Sequence, residues 1–360
     1  IEITAVADRK ESRREWIRAT VPDAAVFCEG SDLIASDTCD AVLIATPHYQ
    51  HPTLAIEAFR HGKHVLCEKP AGVYTLQVRD MIAEADKHPE LTFGMMFNQR
   101  TNCVYRKAKA LIDSGALGEI KRMIWVVTDW YRTQSYYDAG AWRATWDGEG
   151  GGVLLNQCPH QLDLLQWLCG LPTTVRAFCH EGKWHDIEVE DDVTAYLEFP
   201  GGATGVFIAS TGELPGTNRL EIACDRGKVV CENGQLTLWR LPQSESAYYR
   251  RSASAYPHAE VQVEILPLDG ENPQHVGVLN AFAAHILHGT PLVADGAEGI
   301  RALMLSNAMH LSSWTNQNVS LPIDEELFLK LLNEKRRTSR HKDEVDAAID
   351  VSGSFGSTRK

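Results

Sequence analysis

The sequence lacks most of the short signatures that announce a chemistry. It has no GxSxG nucleophile turn, no P-loop, no HExxH pair and no CxxC. These absences argue against the commonest serine-hydrolase, nucleotide-hydrolase and zinc-site readings. It also lacks a glycine-rich GxGxxG turn, the usual cradle for a dinucleotide pyrophosphate. No run approaches the ~18 apolar residues of a membrane span, and no basic-then-apolar leader stands at its start. Basic charge is in deficit: 35 Lys and Arg face 48 Asp and Glu, a net −13. That balance disfavours nucleic acid and anionic membrane surfaces as partners. The nine cysteines are odd in number, and several lie in apolar stretches such as HVLCEK and RLEIACD. They read as small buried hydrophobes in a reducing, cytoplasmic compartment.

What is present is an ordinary globular composition, 44% hydrophobic and 23% charged over 360 residues. At ~150 residues per domain this allows about two domains. The first 100 residues alternate short apolar strands (IEITAVAD, AVLIAT, HVLCEK, LTFGMMF) with amphipathic helices, and Thr75 is a candidate N-cap for the helix that starts there. Uniformly apolar strands between helices predict a doubly wound parallel sheet covered on both faces. The chain begins on what reads as a second strand, so one βα unit, ~30 residues by the usual βαβ size, is expected to be missing. After Gly118 the strands alternate apolar and polar residues. EIKRMIWVVTDW, a hairpin around PGG and a meander with Asn233-Gly234 at one turn predict an open antiparallel sheet with one covered face, in an α+β domain. PHQLDLLQWLCG is a helix, residues 241–260 are expected to be loop, and two further helical runs close the fold. The expected divisions are 1–100, 101–325 and 326–360. The last has a C-terminal helix and a polar tail that is mobile or reaches a neighbouring subunit.

Asp8 ends the first strand, where an acid serves either as a helix cap or as an acceptor for ribose hydroxyls. The segment AVLIATPHYQHPTLAIEAFRHGKHVLCEKPAG is more specific. Thr46, Pro47, His51, Gly62, Lys63, His64, Val65, Glu68, Lys69 and Pro70 resemble the TPxxxH…GKHVxxEKP block of the Gfo/Idh/MocA family of sugar and polyol oxidoreductases. The likeness continues through AWR, GGGVLLNQCPHQLD and VEDDVTAYLEF to about residue 325. It implies a Rossmann-type domain, a cofactor of NAD with NADP as the alternative, and hydride transfer at a CH–OH group of a carbohydrate, inositol or sugar derivative. The family's glycine-rich opening is absent from these residues.

The resemblance implies that Asp8, Arg9, Thr46, Pro47, His48, His51, Glu68, Lys69, Asn98, Trp142 and Arg143 bind cofactor. Glu68 would contact the nicotinamide ribose and Lys69 the reacting hydroxyl. Independently, Lys69 falls at the carboxyl end of a strand, where ligands of such sheets bind, and Pro70 restricts it to extended geometry. The family pattern GGxxxD…H is followed by Gly150–Gly152 and His160 but departed from at Asn156, which stands where an Asp is more usual. An Asn cannot relay a proton but can orient a hydroxyl through its amide. Catalysis is therefore expected from Lys69 and His160, with Lys69, Arg143, Asn156 and His160 binding substrate. Pro159 places His160 in a first helical turn, whose dipole favours a neutral imidazole. Trp130, Tyr131, Arg132, Tyr136, Tyr137, Trp142 and Trp146 offer faces for sugar rings or ordinary core contacts. The segment HEGKWHDIEVEDD is expected to be a solvated loop without metal. A homodimer or homotetramer is expected. An NAD-using glycosidase of the same fold and a non-catalytic dinucleotide-binding regulator are the alternatives.

Overall fold

The computed structural model describes residues 1–342. In its first part strands and helices alternate: β1 (Ala5–Ala7), α1 (Glu11–Thr20), β2 (Ala25–Phe27), α2 (Gly30–Ala35), β3 (Ala41–Ile44), α3 (Gln50–Arg60), β4 (His64–Cys67), α4 (Thr75–Ala85) and β5 (Phe93–Met95). Every pairing here is parallel, in two strips rather than one sheet: β1 with β2, and β3–β4–β5. Val65, Leu66 and Cys67 of β4 are buried on both faces, as a continuous apolar strand between helices must be. Thr75 is the first residue of α4 rather than its cap, which is Tyr74. A tertiary bond sets that start: Asn307 Oδ1 accepts the Thr75 main-chain N–H at 3.2 Å.

A 3₁₀ turn at Asn98–Thr101 leads to α5 (Cys103–Asp113), β6 (Ile120–Val127) and α6 (Gln134–Asp138). A π-type turn at Val153–Gln157 precedes α7 (Pro159–Cys169). Then come β7 (Thr174–Glu181), β8 (Glu190–Glu198), β9 (Thr204–Ser210), β10 (Asn218–Cys224), β11 (Gly227–Glu232), β12 (Gln235–Arg240), α8 (Glu245–Arg251) and β13 (Gln262–Ile265). The described chain closes with α9 (Gln274–His288), α10 (Gly299–Thr315), β14 (Val319–Ser320) and α11 (Glu325–Arg337). Among the described residues no helix is long and apolar enough to cross a membrane.

The large sheet has nine strands in the order β13-β12-β11-β10-β6-β9-β8-β7-β14. The expected antiparallel sheet is in fact mixed, because β6 and β9 run parallel. Hairpins fix the polarity of strands adjacent in sequence, but β6 inserts between β10 and β9 far from both. Asn233 and Gly234 both have positive φ, which suits the tight β11–β12 turn. Along β8, Val193, Ala195 and Leu197 are buried while Thr194 and Tyr196 face the other way. The hydroxyls of Ser312 and Ser313 on α10 accept the N–H groups of Ala177 and Cys179, seating that helix on β7.

Two further expectations need correction. Residues 241–260 contain α8, capped by Ser244, whose hydroxyl accepts the Ala247 N–H. The stretch from His180 to Asp192 is only in part a solvated loop: His180 and Glu181 belong to β7, and although Lys183, Trp184 and Asp186 are exposed, His185 is half-buried, its Nδ1 2.9 Å from an Asp191 oxygen. Asp191 also accepts the N–H groups of Lys183, Trp184 and His185, which folds the turn inward. Residues 343–360 of the expected tail lie outside the described residues. The part before them runs back over the 137–147 loop: Arg336 pairs with Asp147 at 2.9 Å, and Lys342 Nζ donates to the carbonyls of Tyr137 and Arg143. Glu188 joins the two segments, accepting from Trp146 N, Ser339 Oγ and Arg340 N.

The parallel strands and the large sheet are tied through a buried ion pair. Arg100, beyond β5, donates from Nε and Nη2 to both oxygens of Asp163 on α7, at 2.8 and 2.6 Å. Its Nη1 lies 2.6 Å from Glu298. Asp163 is 1% exposed, so removing its partner strands a buried charge. Arg100→Met is expected to cost about 3–5 kcal/mol in urea unfolding. Breaking the exposed Arg9–Glu29 pair should cost nothing measurable.

Candidate functional site

The carboxyl ends of β3 and β4 open onto a cleft of about 290 Å³. The chain leaves β3 into Thr46 and Pro47 and leaves β4 directly into Glu68 and Lys69. His51 on α3 holds these two exits together. Its Nδ1 is 2.7 Å from the Pro70 carbonyl and its Nε2 2.7 Å from the Thr46 carbonyl. The Lys69-Pro70 bond is cis. Thr46, His48, His51, Glu68, Lys69, Trp142, Arg143 and Asn156 all line the cleft.

Lys69 Nζ donates to the Asn156 main-chain carbonyl at 2.8 Å. Burial lowers the lysine's pKa, against the opposing pull of Glu68 and Glu149; the charges of Arg143 and Arg132 lower it further. Burial likewise raises the Glu68 carboxyl, with Lys69 opposing. His160 lies in the first turn of α7, with Pro159 at its first position as expected. Its Nδ1 is buried without a hydrogen-bond partner. Burial, then the charge of Lys69, hold the imidazole well below its ordinary pKa. The dominant cause is desolvation rather than the helix dipole expected from sequence.

The far wall comes from residues 136–156. The Arg143 guanidinium lies 4.7 Å from the ring centres of both Trp142 and Tyr136, and its Nη1 donates to the Tyr136 hydroxyl at 2.8 Å. Arg132 stacks against Tyr136 and Trp130. Behind them lies Glu149, a carboxylate that sequence reasoning missed. It is 2% exposed, accepts the Ala144 N–H at 2.6 Å and accepts from Asn156 Nδ2. The one sequence signal was an acid directly before the Gly150–Gly152 run. Those glycines are needed for close approach: a Cβ on Gly152 would meet the Glu190 carbonyl at 1.9 Å. Glu190 in turn accepts the Gly152 and Leu154 N–H groups and lies 2.9 Å from His310. Asn156 is thus held from two sides.

Other expected residues lie elsewhere. Asp8 accepts the Lys10 N–H at 2.8 Å in the turn just ahead of α1, whose N-cap is Lys10, and Arg9 pairs with Glu29; neither lines the cleft. Pro47 starts the turn into α3, its carbonyl accepting from Gln50. Asn98 is buried beside His275, 3.3 Å from its Nδ1, and Asn98 Oδ1 has no hydrogen-bond partner. Thr46 Oγ1 is similarly buried and unpartnered. These orphaned atoms at the strand ends fit a polar group bound there, as a nicotinamide ribose would be. Among the described residues no group of three or more His, Cys, Asp or Glu side chains could hold a metal ion.

The depressed His160 pKa fixes a sign. Its unfolded value is near 6.5, so the stability it contributes is full above that pH and is lost as pH falls. His160→Asn should therefore show a shallower fall in Tm between about pH 7 and about pH 5 than the parent protein. His48 and His51, lowered in the same way, leave part of the fall in place.

Comparison with known proteins bears on this geometry. Residues 1–95 match the oxidoreductase family described as an NAD-binding Rossmann fold, and residues 105–230 match the GFO/IDH/MocA C-terminal domain. The chain is 23% identical over 323 residues to myo-inositol 2-dehydrogenase of Thermotoga maritima, covering 88% of this chain and 90% of that protein. It is 24% identical over 341 residues to D-glucoside 3-dehydrogenase of Escherichia coli, covering 89% and 90%. The crystal structure of the WlbA dehydrogenase from Bordetella pertussis, in complex with NADH and UDP-GlcNAcA, superposes with a TM-score of 0.75 at 25% identity, over 90% of this chain and 91% of that one. A parallel-strand cleft carrying the EKP lysine, followed by a GGG turn and a large mixed sheet, therefore belongs to a recognised family: this chain is a member of the Gfo/Idh/MocA oxidoreductases and takes NAD(P) as its cofactor.

Proposed function

We propose that this enzyme interconverts an alcohol and a carbonyl at one ring carbon of a cyclic polyol, sugar or sugar derivative. The observation that carries the reading is the meeting of Lys69 from β4, Asn156 from the π-type turn and the stacked Arg143 around one cleft, with His160 close enough to feel the lysine's charge. Donors, acceptors and flat apolar faces together suit a polyhydroxylated ring better than an aliphatic alcohol.

The bound nicotinamide supplies the hydride chemistry. Lys69 directs its ammonium at the reacting oxygen, stabilising the charge that develops as the hydroxyl loses its proton. His160, neutral through burial, takes that proton at the vacant Nδ1 in the oxidising direction and returns it in the reducing one. Arg143 and Trp142 hold the ring. Thr46, His48, Glu68 and Asn98 would receive the nicotinamide half of the cofactor, and Asp8 the adenosine ribose. The Asp8 carboxylate would repel a 2′-phosphate there, which favours NAD over NADP, with Arg9 and Arg13 softening that preference.

An NAD(H)-linked absorbance screen on the full-length protein tests this reading. Inositols, sugars or sugar acids should turn over, propan-2-ol should not, and kcat/KM should be higher with NAD than with NADP. Lys69→Met should lower kcat by ~10²–10⁴ with little change in cofactor affinity. Turnover confined to simple alcohols or amino acids would end the carbohydrate reading. Sugar release without net change in NADH would favour the glycosidase alternative.

The uncovered face of the large sheet supports self-association. Phe178 and Tyr196 are exposed there, beside the half-buried Ile124, Val126, Val206 and Ile208. We expect light scattering at micromolar protein to give a dimeric or tetrameric mass; a monomeric mass contradicts it.

A further inference from the structure

Asn156 lines the cleft with an amide, and a buried carboxylate stands behind it. Glu149 is buried behind Asn156 and holds two groups at once: one oxygen accepts the Ala144 N–H, the other accepts from Asn156 Nδ2. A carboxylate only accepts hydrogen bonds, whereas an amide has a donating and an accepting end. Glu149 therefore dictates which end of Asn156 it takes. With Nδ2 turned toward Glu149, Oδ1 is what the side chain offers the cleft. The Asn156 main chain is fixed as well, its N–H donating to the Gly152 carbonyl at 2.9 Å and its carbonyl accepting from Lys69 Nζ.

We propose that Glu149 is a positioning residue that locks the Asn156 amide with Oδ1 facing the cleft, so that the site presents a neutral acceptor to a substrate hydroxyl and keeps its negative charge one residue behind. This rests on the oxidoreductase reading above and sharpens its specificity. The substrate class is one that donates a hydroxyl hydrogen beside the reacting carbon. A deoxy analogue at that carbon leaves Oδ1 unpaired and is discriminated against.

The pair sits in a charged setting that matters for its test. Lys69, Arg143 and Lys342 act on Glu149 or are acted on by it, as does the Tyr137 hydroxyl; Glu190 is the neighbouring anion, and His48 Nδ1 contacts the Glu149 carbonyl. Burial raises the Glu149 carboxyl, while the Ala144 and Asn156 donors and Arg143 oppose the rise.

A reciprocal swap tests the assignment: Glu149→Gln, Asn156→Asp, and both together. Glu149→Gln removes the rule that fixes the amide. It should raise KM for the hydroxylated substrate by about fivefold, the scale of one neutral hydrogen bond, with a smaller effect on kcat. Asn156→Asp places two carboxylates in contact, one of which must hold a proton. The folded pair then has a raised pKa, so stability should be present at low pH and lost as pH rises. Tm of the ligand-free protein should fall more steeply toward alkaline pH than in the parent. The double variant again has one carboxylate and one amide, so it should recover the pH profile of Tm, while its KM stays raised because the charge now faces the cleft. A double variant with the Tm–pH profile of Asn156→Asp or with the parent's KM, or an Asn156→Asp variant with the parent's Tm–pH profile, overturns the proposal. The Tm arm needs neither substrate nor cofactor. Absence of NAD-linked turnover in the parent would refute the proposed function while leaving the coupling of Glu149 to Asn156 decided by stability alone.

Discussion

A lysine ammonium held in a buried cleft by a main-chain carbonyl is the constraint around which the rest is arranged. Lys69 reaches Asn156 O across the junction between the parallel strands and the large sheet. Both ends of that bond must be held. On one side, His51 spans the exits of β3 and β4 through two carbonyls. On the other, Glu190 gathers the N–H groups of Gly152 and Leu154, and Glu149 takes the Asn156 side chain. The Arg100–Asp163 pair then fixes α7, and with it His160, against the turn that follows β5. The buried charges come as partnered sets because isolated ones would be expelled by their solvation cost.

Much of the parallel part was legible because its strands are buried on both faces and carry continuous apolar letters. The segment HVLCEKP placed Lys69 at a strand end from sequence alone, and Pro159 placed His160 in a first helical turn. Polarity across the large sheet was not legible in the same way. Alternation shows which face of β6 is covered, but not that β9, some eighty residues away, runs parallel to it.

The functional details hidden from the sequence share one property. Their partners become neighbours only through irregular backbone. Glu149 reads as a turn acid beside glycines until the π-type turn brings Asn156 back against it. His185 reads as a surface histidine until the turn before β8 folds onto Asp191. Asp8 was legible as either a cap or a ribose acceptor; the structure shows its side chain accepting the Lys10 N–H just ahead of α1, one residue short of a cap.

The return of residues 336–342 over the 137–147 loop has a consequence for how the cleft comes apart. Ser339, Arg340 and Trp146 all bond to Glu188, and Lys342 closes onto the carbonyls of Tyr137 and Arg143. Beyond the ends of α11 and α6 neither segment is a regular element, so residues 338–342 and 139–147 have no ladder of their own to stay ordered. Each loses conformational freedom against the other, and the loss is shared. The two segments therefore form one cooperative opening unit, distant in sequence yet released together. Backbone amides around Arg143 should then exchange with solvent on the timescale on which the C-terminal segment lifts, not on that of the strands behind them.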